Sequence, residues 1–374
     1  MRVCNVVGAR PNFMKIAPIV RELARRGADQ TLVHTGQHYD ARMSDVFFEE
    51  LGMPRPDHHL GVGSGSHAKQ TAAVMVAFEE ACRTLRPDLV VVGGDVNSTL
   101  AVALVASKLL IPLAHVEAGL RSFDRAMPEE VNRVVTDHLS DFLFVTEASG
   151  VENLRREGIA EARVHLVGNC MVDTLLAHVE AALRLAPWRE YHMGPGEYGL
   201  LTLHRPSNVD DDATLRALMD VLNRLADRLP LLFPVHPRTL DRLARQEIPV
   251  APGIRLTEPL SYLTFLGLMA RARCVLTDSG GIQEETTALG VPCLTLRENT
   301  ERPATIHEGT NRLVGTDPAR IEAGFDAVLN GDTPTNRRPP LWDGHAARRI
   351  VDVLLAPGTP TSESSPPSRT ILHN

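Results

Sequence analysis

Short apolar runs alternate along the chain with longer stretches in which apolar residues recur every three or four positions. The runs at 3–7, 31–35, 89–92, 113–116 and 142–145 predict strands, and the periodic segments at 12–26, 66–85, 100–110, 129–139 and 148–157 predict the helices between them. The runs are continuous rather than alternating, which marks strands buried on both faces of a parallel sheet. The series therefore reads as successive βαβ units. A second series follows Val167-Gly168-Asn169, with strands at 200–203, 231–235, 275–277 and 293–296. Between the two, Ala186-Pro187-Trp188 and Gly194-Pro195-Gly196 punctuate a loop or short helix. A last periodic segment at 345–355 predicts a helix, and the Pro-, Ser- and Thr-rich stretch after it is too poor in apolar residues to pack.

Two such series predict an α/β protein of two Rossmann-like, doubly wound domains facing a cleft. The expected boundaries are an N-terminal domain over 1–168, a C-terminal domain over 169–344, a helix over 345–356 returning to the first domain, and a disordered tail over 357–374. The length of 374 residues agrees, since it exceeds what one hydrophobic core usually serves. A net charge of -7 excludes general attraction for nucleic acid, so any bound anion must be held by a local cluster of cations. Only Lys15, Lys69 and Lys108 are lysines; the remaining basic residues are arginines. No apolar run approaches the roughly 18 to 20 residues that span a bilayer, and no signal-peptide pattern precedes the first strand. The five cysteines are scattered, which fits neither a disulfide framework nor a metal knuckle. A cytoplasmic protein without a metal centre is expected.

In doubly wound folds, ligands bind beyond the carboxyl ends of the strands, and the residues with chemical potential lie there. The strand at 275–277 runs into Asp278-Ser279-Gly280-Gly281 and then directly into a helix. Open backbone N–H groups at a helix start attract anions, and glycines let a phosphate come close. Glu284 and Glu285 follow, either to compensate the helix dipole or to accept hydrogen bonds from ribose hydroxyls beside the phosphates. Arg10 and Lys15 follow the first strand, His204-Arg205 follows the strand at 200–203, and Arg302 lies in Thr300-Glu301-Arg302-Pro303. Each is either a solvated charge or a ligand contact. Together, cation-bearing loops at strand ends in an acidic protein favour a diphosphate.

Carboxylates stand at strand ends as well. Asp95 follows the strand at 89–92, Glu117 follows the one at 113–116, and Glu129 opens the helix after Pro128. Acids in such places either cap the next helix or serve as general acid and base, where burial and mutual repulsion can raise one carboxyl pKa. Asp124, Glu130 and Asp137 read as helix-surface or capping groups. Of the 15 histidines, His34, His38, His58, His59, His67 and His115 read as structural, His236 ends a strand, and His204 is singled out for chemistry. No Gly-x-Gly-x-x-Gly follows the first strand, which disfavours a dinucleotide, and no Walker A motif is present. No lysine sits three or four residues after a tyrosine, so transient oxidation of a sugar lacks its usual parts.

The ordered motifs Gly8-Ala9-Arg10-Pro11, Thr35-Gly36-Gln37-His38, Gly94-Asp95-x-x-Ser98-Thr99, His115-Val116-Glu117-Ala118-Gly119-Leu120-Arg121, Pro128-Glu129-Glu130-x-Asn132-Arg133, Gly168-Asn169, His204-Arg205, Thr277-Asp278-Ser279-Gly280-Gly281-Ile282-Gln283-Glu284-Glu285 and Thr300-Glu301-Arg302-Pro303 resemble those of the non-hydrolysing UDP-N-acetylglucosamine 2-epimerases. The resemblance runs over about residues 1 to 355. It implies a GT-B arrangement, a homodimer, and inversion at C2 of UDP-N-acetylglucosamine without a cofactor or metal. It implies Asp95, Glu117, Glu129 and His204 as catalytic residues. Arg10, Lys15, Phe265, Ser279, Gly280, Gly281, Glu285 and Arg302 are implied as substrate-binding, with Phe265 near the uracil. The segment beginning Gln37-His38-Tyr39-Asp40 departs from the Q-H-R-x-M-L-x-Q form and looks two residues longer. That region contributes to a second, activating substrate site in several members, so the departure argues against such activation here. It is shared with a sister group acting on UDP-diacetamido-uronic acids, whereas Thr300-Glu301-Arg302-Pro303 favours the simple N-acetylglucosamine substrate. A GT-B glycosyltransferase, a hydrolysing epimerase and a non-catalytic nucleotide-sugar sensor are the alternatives. The first would need an acceptor, the second would release free N-acetylmannosamine, and the third would need no cluster of three acids.

Overall fold

A computed structural model describes residues 1–36, 50–332 and 337–359, apart from the side chains of Arg10 and Pro11. The chain forms two compact units, one from Met1–Cys170 together with the described residues from His345 onward, the other from Met171–Gly344. The first unit runs β1 (Arg2–Val7), α1 (Arg10–Arg25), β2 (Asp29–His34), β3 (His58–His59), α2 (His67–Leu85), β4 (Leu89–Gly93), α3 (Asn97–Lys108), β5 (Leu113–Ala118), α4 (Pro128–Leu139), β6 (Phe142–Val145), α5 (Ala148–Arg156) and β7 (Val164–Leu166). Its seven strands are all parallel, in the order β3-β2-β1-β4-β5-β6-β7. The interior strands β1, β4 and β5 are buried almost end to end, as their apolar runs require.

The second unit contains α6 (Cys170–Leu185), β8 (Gly199–Thr202), α7 (Pro206–Val209), α8 (Asp212–Ala226), β9 (Leu231–Pro234), α9 (Pro237–Arg245), β10 (Ile254–Thr257), α10 (Tyr262–Arg271), β11 (Cys274–Thr277), α11 (Gly280–Leu289), β12 (Cys293–Thr295), α12 (Ala304–His307), β13 (Asn311–Leu313) and α13 (Pro318–Leu329). The chain enters this unit at the first turn of α6 rather than in the loop at Gly168. Its six parallel strands take the order β10-β9-β8-β11-β12-β13. Leu201, Leu231, Phe233, Leu276 and Leu294 from the strands pack with Leu218, Leu222 and Phe325 from the helices in one core.

The last described helix, α14 (Ala346–Leu354), belongs to the first unit. Its face of Ala346, Ala347, Ile350, Val351 and Leu354 is buried, and Arg26 beside α1 pairs with Asp352 at 2.6 Å. The expected disordered tail lies outside the described residues from 360 onward. Among the described residues no helix is long and apolar enough to cross a membrane.

Both sheets show the doubly wound order, in which winding reverses between the first and fourth strands of the unit. The candidate residues after β1, β4, β8 and β11 flank those switch points, between β1 and β4 and between β8 and β11.

Candidate active site

At the switch point of the first unit, β4 ends in Gly93-Gly94-Asp95. Gly94 adopts a left-handed φ of +68°, and a Cβ there would stand 2.8 Å from Lys15 Nζ and 3.4 Å from Glu117 Oε2. Only glycine fits such a turn under such a roof. Lys15, on α1, and Glu117, at the end of β5, form a buried ion pair. Asn12 fixes the start of α1 by accepting from the Ala9 N–H at 3.0 Å and donating to the Gly93 carbonyl.

Glu117 is aimed by a defect in its strand. The register of β5 on β6 slips between Val116 and Ala118, and Glu117 takes a φ of +73°. A bulge of this kind turns a side chain out of the pleat, and left-handed backbone at a non-glycine residue stores strain where function uses it. Behind it, His115 is wholly buried, with Nε2 2.7 Å from the Gly94 carbonyl and Nδ1 2.6 Å from Asp137. Asp137 also accepts from the Gly119 N–H and pairs with Arg121. Burial opposes the Asp137 charge, but His115 and Arg121 more than offset it and hold the carboxyl below its usual range.

Asp95 pairs with Arg133 on α4, and its carbonyl accepts from Asn132 Nδ2 at 2.8 Å. Arg133 also donates to Glu130 Oε2 at 2.6 Å. Glu130 in turn accepts from Ser122 and from the Phe123 N–H at 2.9 Å. Asp95 is thus tied through Arg133 and Glu130 to the loop that follows β5. Glu129, half-buried, lies in the opening turn of α4.

At the switch point of the second unit, β11 runs through Asp278 and Ser279 into α11. Ser279 makes no capping bond with its own side chain, which leaves the helix start open to an anion. A Cβ on Gly280 would meet Arg302 Nη1 at 2.5 Å, so the guanidinium lies directly against that turn. Arg302 pairs with Glu284 and Glu301, while Arg297 and Arg205 approach the same Glu301 at 2.8 and 3.8 Å. Three arginines therefore gather around Glu284 and Glu301 beside the helix start. Burial lowers the Arg297 pKa, with Arg205 and Arg302 adding to the effect against Glu301.

His204 follows β8 and stands half-exposed, its Nδ1 2.8 Å from the buried Asp278. Glu285 is buried and accepts from Tyr262 Oη at 3.2 Å. Burial pushes its carboxyl up to about 8, against the Tyr262 hydrogen bond, with Glu284 adding to the rise. Phe265 is half-buried one turn further along α10 than Tyr262. Gly281 packs against Met171.

Several sequence expectations change. Glu130 and Asp137 are buried hydrogen-bonding hubs, not surface or capping groups, because α4 presents its polar face to the β5 loop. Lys15 pairs with Glu117, a contact the sequence did not indicate. Asp95 and Glu117 each have a cation beside them, where mutual repulsion was the expectation. Glu284 and Glu285 are both buried and lie beyond the first turn of α11, away from the helix start where an acid compensates the dipole. His115 is structural in the expected sense, with both ring nitrogens engaged, and His236 caps α9. The Arg10 side chain and the Gln37-His38-Tyr39-Asp40 segment lie outside the described residues. Sequence reasoning gave no role to Arg133, Asp278, Arg297 or Glu301. All four lie within or beside its motifs, and Asp278 carried the same signal as Asp95, an acid directly after a buried strand. Among the described residues no group of three or more His, Cys, Asp and Glu side chains is arranged to hold a metal ion.

Comparison with known proteins adds to this geometry. The family model for UDP-N-acetylglucosamine 2-epimerase matches residues 21–355. The chain is 42% identical over 363 residues to the UDP-N-acetylglucosamine 2-epimerase of Methanocaldococcus jannaschii, covering 95% of this chain and 99% of that one. The crystal structure of that archaeal enzyme in complex with UDP-GlcNAc and UDP superposes with a TM-score of 0.88, covering 95% of this chain and 99% of that chain. The UDP-2,3-diacetamido-2,3-dideoxy-D-glucuronate 2-epimerase of Pseudomonas aeruginosa is 39% identical, covering 95% of this chain and 99% of that one. A lipopolysaccharide outer core galactosyltransferase shares the fold alone, with a TM-score of 0.56 at 12% identity, covering 94% of this chain and 98% of that one.

Proposed function

The chain belongs to the UDP-N-acetylglucosamine 2-epimerase family, and from that premise we propose that it interconverts UDP-N-acetylglucosamine and UDP-N-acetylmannosamine. The observation that carries this reading is the division of chemistry between the two switch points. One holds carboxylates on turns built to aim them, and the other holds an open helix start among arginines beside a half-exposed histidine.

The C2 proton of a 2-acetamido sugar is not alpha to a carbonyl, so a carboxylate cannot remove it as an enolate. Removal becomes feasible if the C1–O bond breaks in the same step. The C–H electron pair then forms the C1=C2 bond of a 2-acetamidoglucal, and the C1–O pair leaves on the UDP diphosphate. Arg302, Arg205, Ser279 and the N–H groups of Gly280 and Gly281 are suited to that developing charge, the type of stabilisation that is often the largest single effect in an enzyme. Arg10 and Lys15, which follow β1, are proposed as further substrate-binding residues. Re-addition of UDP with protonation of C2 from the other face gives the manno epimer. Asp95, Glu117 and Glu129 are the proposed acid and base groups, with Lys15 seating Glu117. Glu285 accepts from the ribose and Phe265 packs near the uracil. No redox cofactor or metal is required by these steps. We propose further that the enzyme is a cytoplasmic homodimer.

In D2O with UDP-N-acetylglucosamine as the sole substrate, deuterium should enter at C2 of both epimers. Epimerisation with protium retained at C2 would overturn the elimination. The Pseudomonas relative gives a second reading specific support, namely a UDP-diacetamido-uronic acid as substrate. Assay of both nucleotides side by side decides between them, and the N-acetylglucosamine nucleotide should show the higher kcat/KM.

A further inference from the structure

The buried carboxylate behind His204 has a division of labour between its two oxygens. Oδ2 of Asp278 accepts from the Arg205 N–H at 2.9 Å, from the His204 N–H at 3.0 Å and from Asn208 Nδ2 at 3.3 Å. Oδ1 faces the imidazole, 2.8 Å from Nδ1, with the His204 N–H a longer 3.2 Å away. Asn208 is itself anchored to the Leu296 carbonyl at 2.9 Å, and the Arg205 Nε donates to the Asp278 carbonyl at 3.3 Å. One oxygen thus holds the turn after β8, and the other addresses only the histidine ring and its own backbone.

A carboxylate has no proton to give, so the short contact requires Nδ1 of His204 to be the donor. The remaining ring nitrogen, Nε2, is then turned away from Asp278 on a ring whose side chain is 52% exposed. We propose that Asp278 is a positioning residue for the epimerase reaction: it holds the Nδ1–H of His204, so that Nε2 alone gives a proton to the departing diphosphate and takes it back. This rests on the family reading of the substrate. The step balances within each turnover. The ring enters with protons on both nitrogens, and Nε2–H gives its proton to the leaving phosphate oxygen as the C1–O bond breaks. The Nδ1–H tautomer held by Asp278 remains, and Nε2 takes the proton back when UDP re-adds.

The split between the oxygens supplies the test. In Asp278→Asn the amide oxygen is required where Oδ2 meets three donors, which directs the amide NH2 to the place of Oδ1. There it donates to Nδ1 and moves the ring proton to Nε2. The turn stays satisfied while the histidine is left in the wrong tautomer. With the amide donating to Nδ1, the ring cannot carry a second proton there, and a neutral Nε2–H is far too weak an acid for the leaving group. An Asp-to-Asn change that sets the wrong histidine tautomer costs about 10⁴-fold in a serine protease triad.

For Asp278→Asn, kcat should fall at least ~100-fold, the scale of general acid–base groups, with KM for UDP-N-acetylglucosamine changed only a few-fold. In ¹⁵N spectra of histidine-labelled protein, the His204 signal, assigned by its loss in His204→Gln, should show a protonated Nδ1 in the wild type and a protonated Nε2 in the variant. Wild-type kcat in Asp278→Asn, or a wild-type ring with unprotonated Nδ1, would overturn the proposal. The wild-type spectrum decides the matter even if the variant does not fold. It is also independent of substrate, so failure of the epimerase reading would show separately, as absence of turnover in the wild-type enzyme.

Discussion

Glu285 is the residue at which burial and charge are most openly in conflict. It is buried, its partner is the Tyr262 hydroxyl, and Glu284 precedes it in the chain. With its carboxyl pushed up from 4.5 to about 8, the folded protein keeps a proton through a range in which the unfolded chain has released it. The sign follows from linkage: stability from this group is complete below about pH 4.5 and is lost as pH rises through 8. Glu285→Gln cannot ionise. The melting temperature of Glu285→Gln relative to wild type should therefore rise steadily with pH across this window in the absence of nucleotide, and a flat difference would mean that Glu285 is ionised in the fold. At this scale, the acids after β4 and β5 and the histidine after β8 were legible because they interrupt apolar runs. Their partners were not. Arg133 reads as an ordinary helical arginine until the fold sets it against Asp95, and nothing in the sequence shows that Lys15 pairs with Glu117.

Among elements, β5 departs furthest from ideal geometry. Its bulge at Glu117 is followed by Gly119 at φ +80°, where a Cβ would lie 2.5 Å from the carbonyl oxygen of Gly150. Gly27, just after α1, has a similar φ of +68° with nothing within 4 Å of its missing Cβ. Alanine at either site carries the strain of left-handed backbone, of the order of 1–3 kcal/mol, but only at Gly119 must the neighbouring chain also move. Gly27→Ala should lose stability and keep wild-type kcat. Gly119→Ala should lose more stability, and kcat with it, because the displaced backbone carries Glu117; equal kcat in the two variants would show that the bulge does not set the geometry of the acid. Element by element, the legibility of the sheets has a physical boundary. Every interior strand of both sheets was readable from its apolar run, and each edge strand, β3, β7, β10 and β13, went unread. The edges are only two to four residues long and partly exposed, so even the alternation Ile-Arg-Leu-Thr of β10 is too brief to mark a strand.

At the level of the whole molecule, the chain builds its first unit from two separated pieces. It leaves after Cys170, completes the second unit, and returns at His345 to lay α14 beside α1. The helix is bound there by a buried apolar face, by Asp352 with Arg26, and by Arg349 Nη1 donating to the Val167 carbonyl at 3.0 Å. Burying an Ile, Val or Leu side chain stabilises by about 1.5–3 kcal/mol. Loss of Ile350, Val351 and Leu354 together is therefore comparable to the whole net stability of an ordinary domain. The second unit has no residue in α14, and its sheet and core are closed within Met171–Gly344. Truncation after Gly344 should thus act unevenly. Amide hydrogen exchange should quicken throughout α1, β1 and β2, while β8, β9, β11 and β12 keep their protection. The truncated chain should still bind UDP, because Arg205, Arg302, Ser279 and Glu285 lie in the intact unit, yet it should not epimerise, because Asp95 and Glu117 lie in the weakened one. If protection fell equally in both units, they would fold as one cooperative body and the return helix would stabilise the whole chain. If neither changed, the buried face of α14 would contribute far less than its apolar area implies.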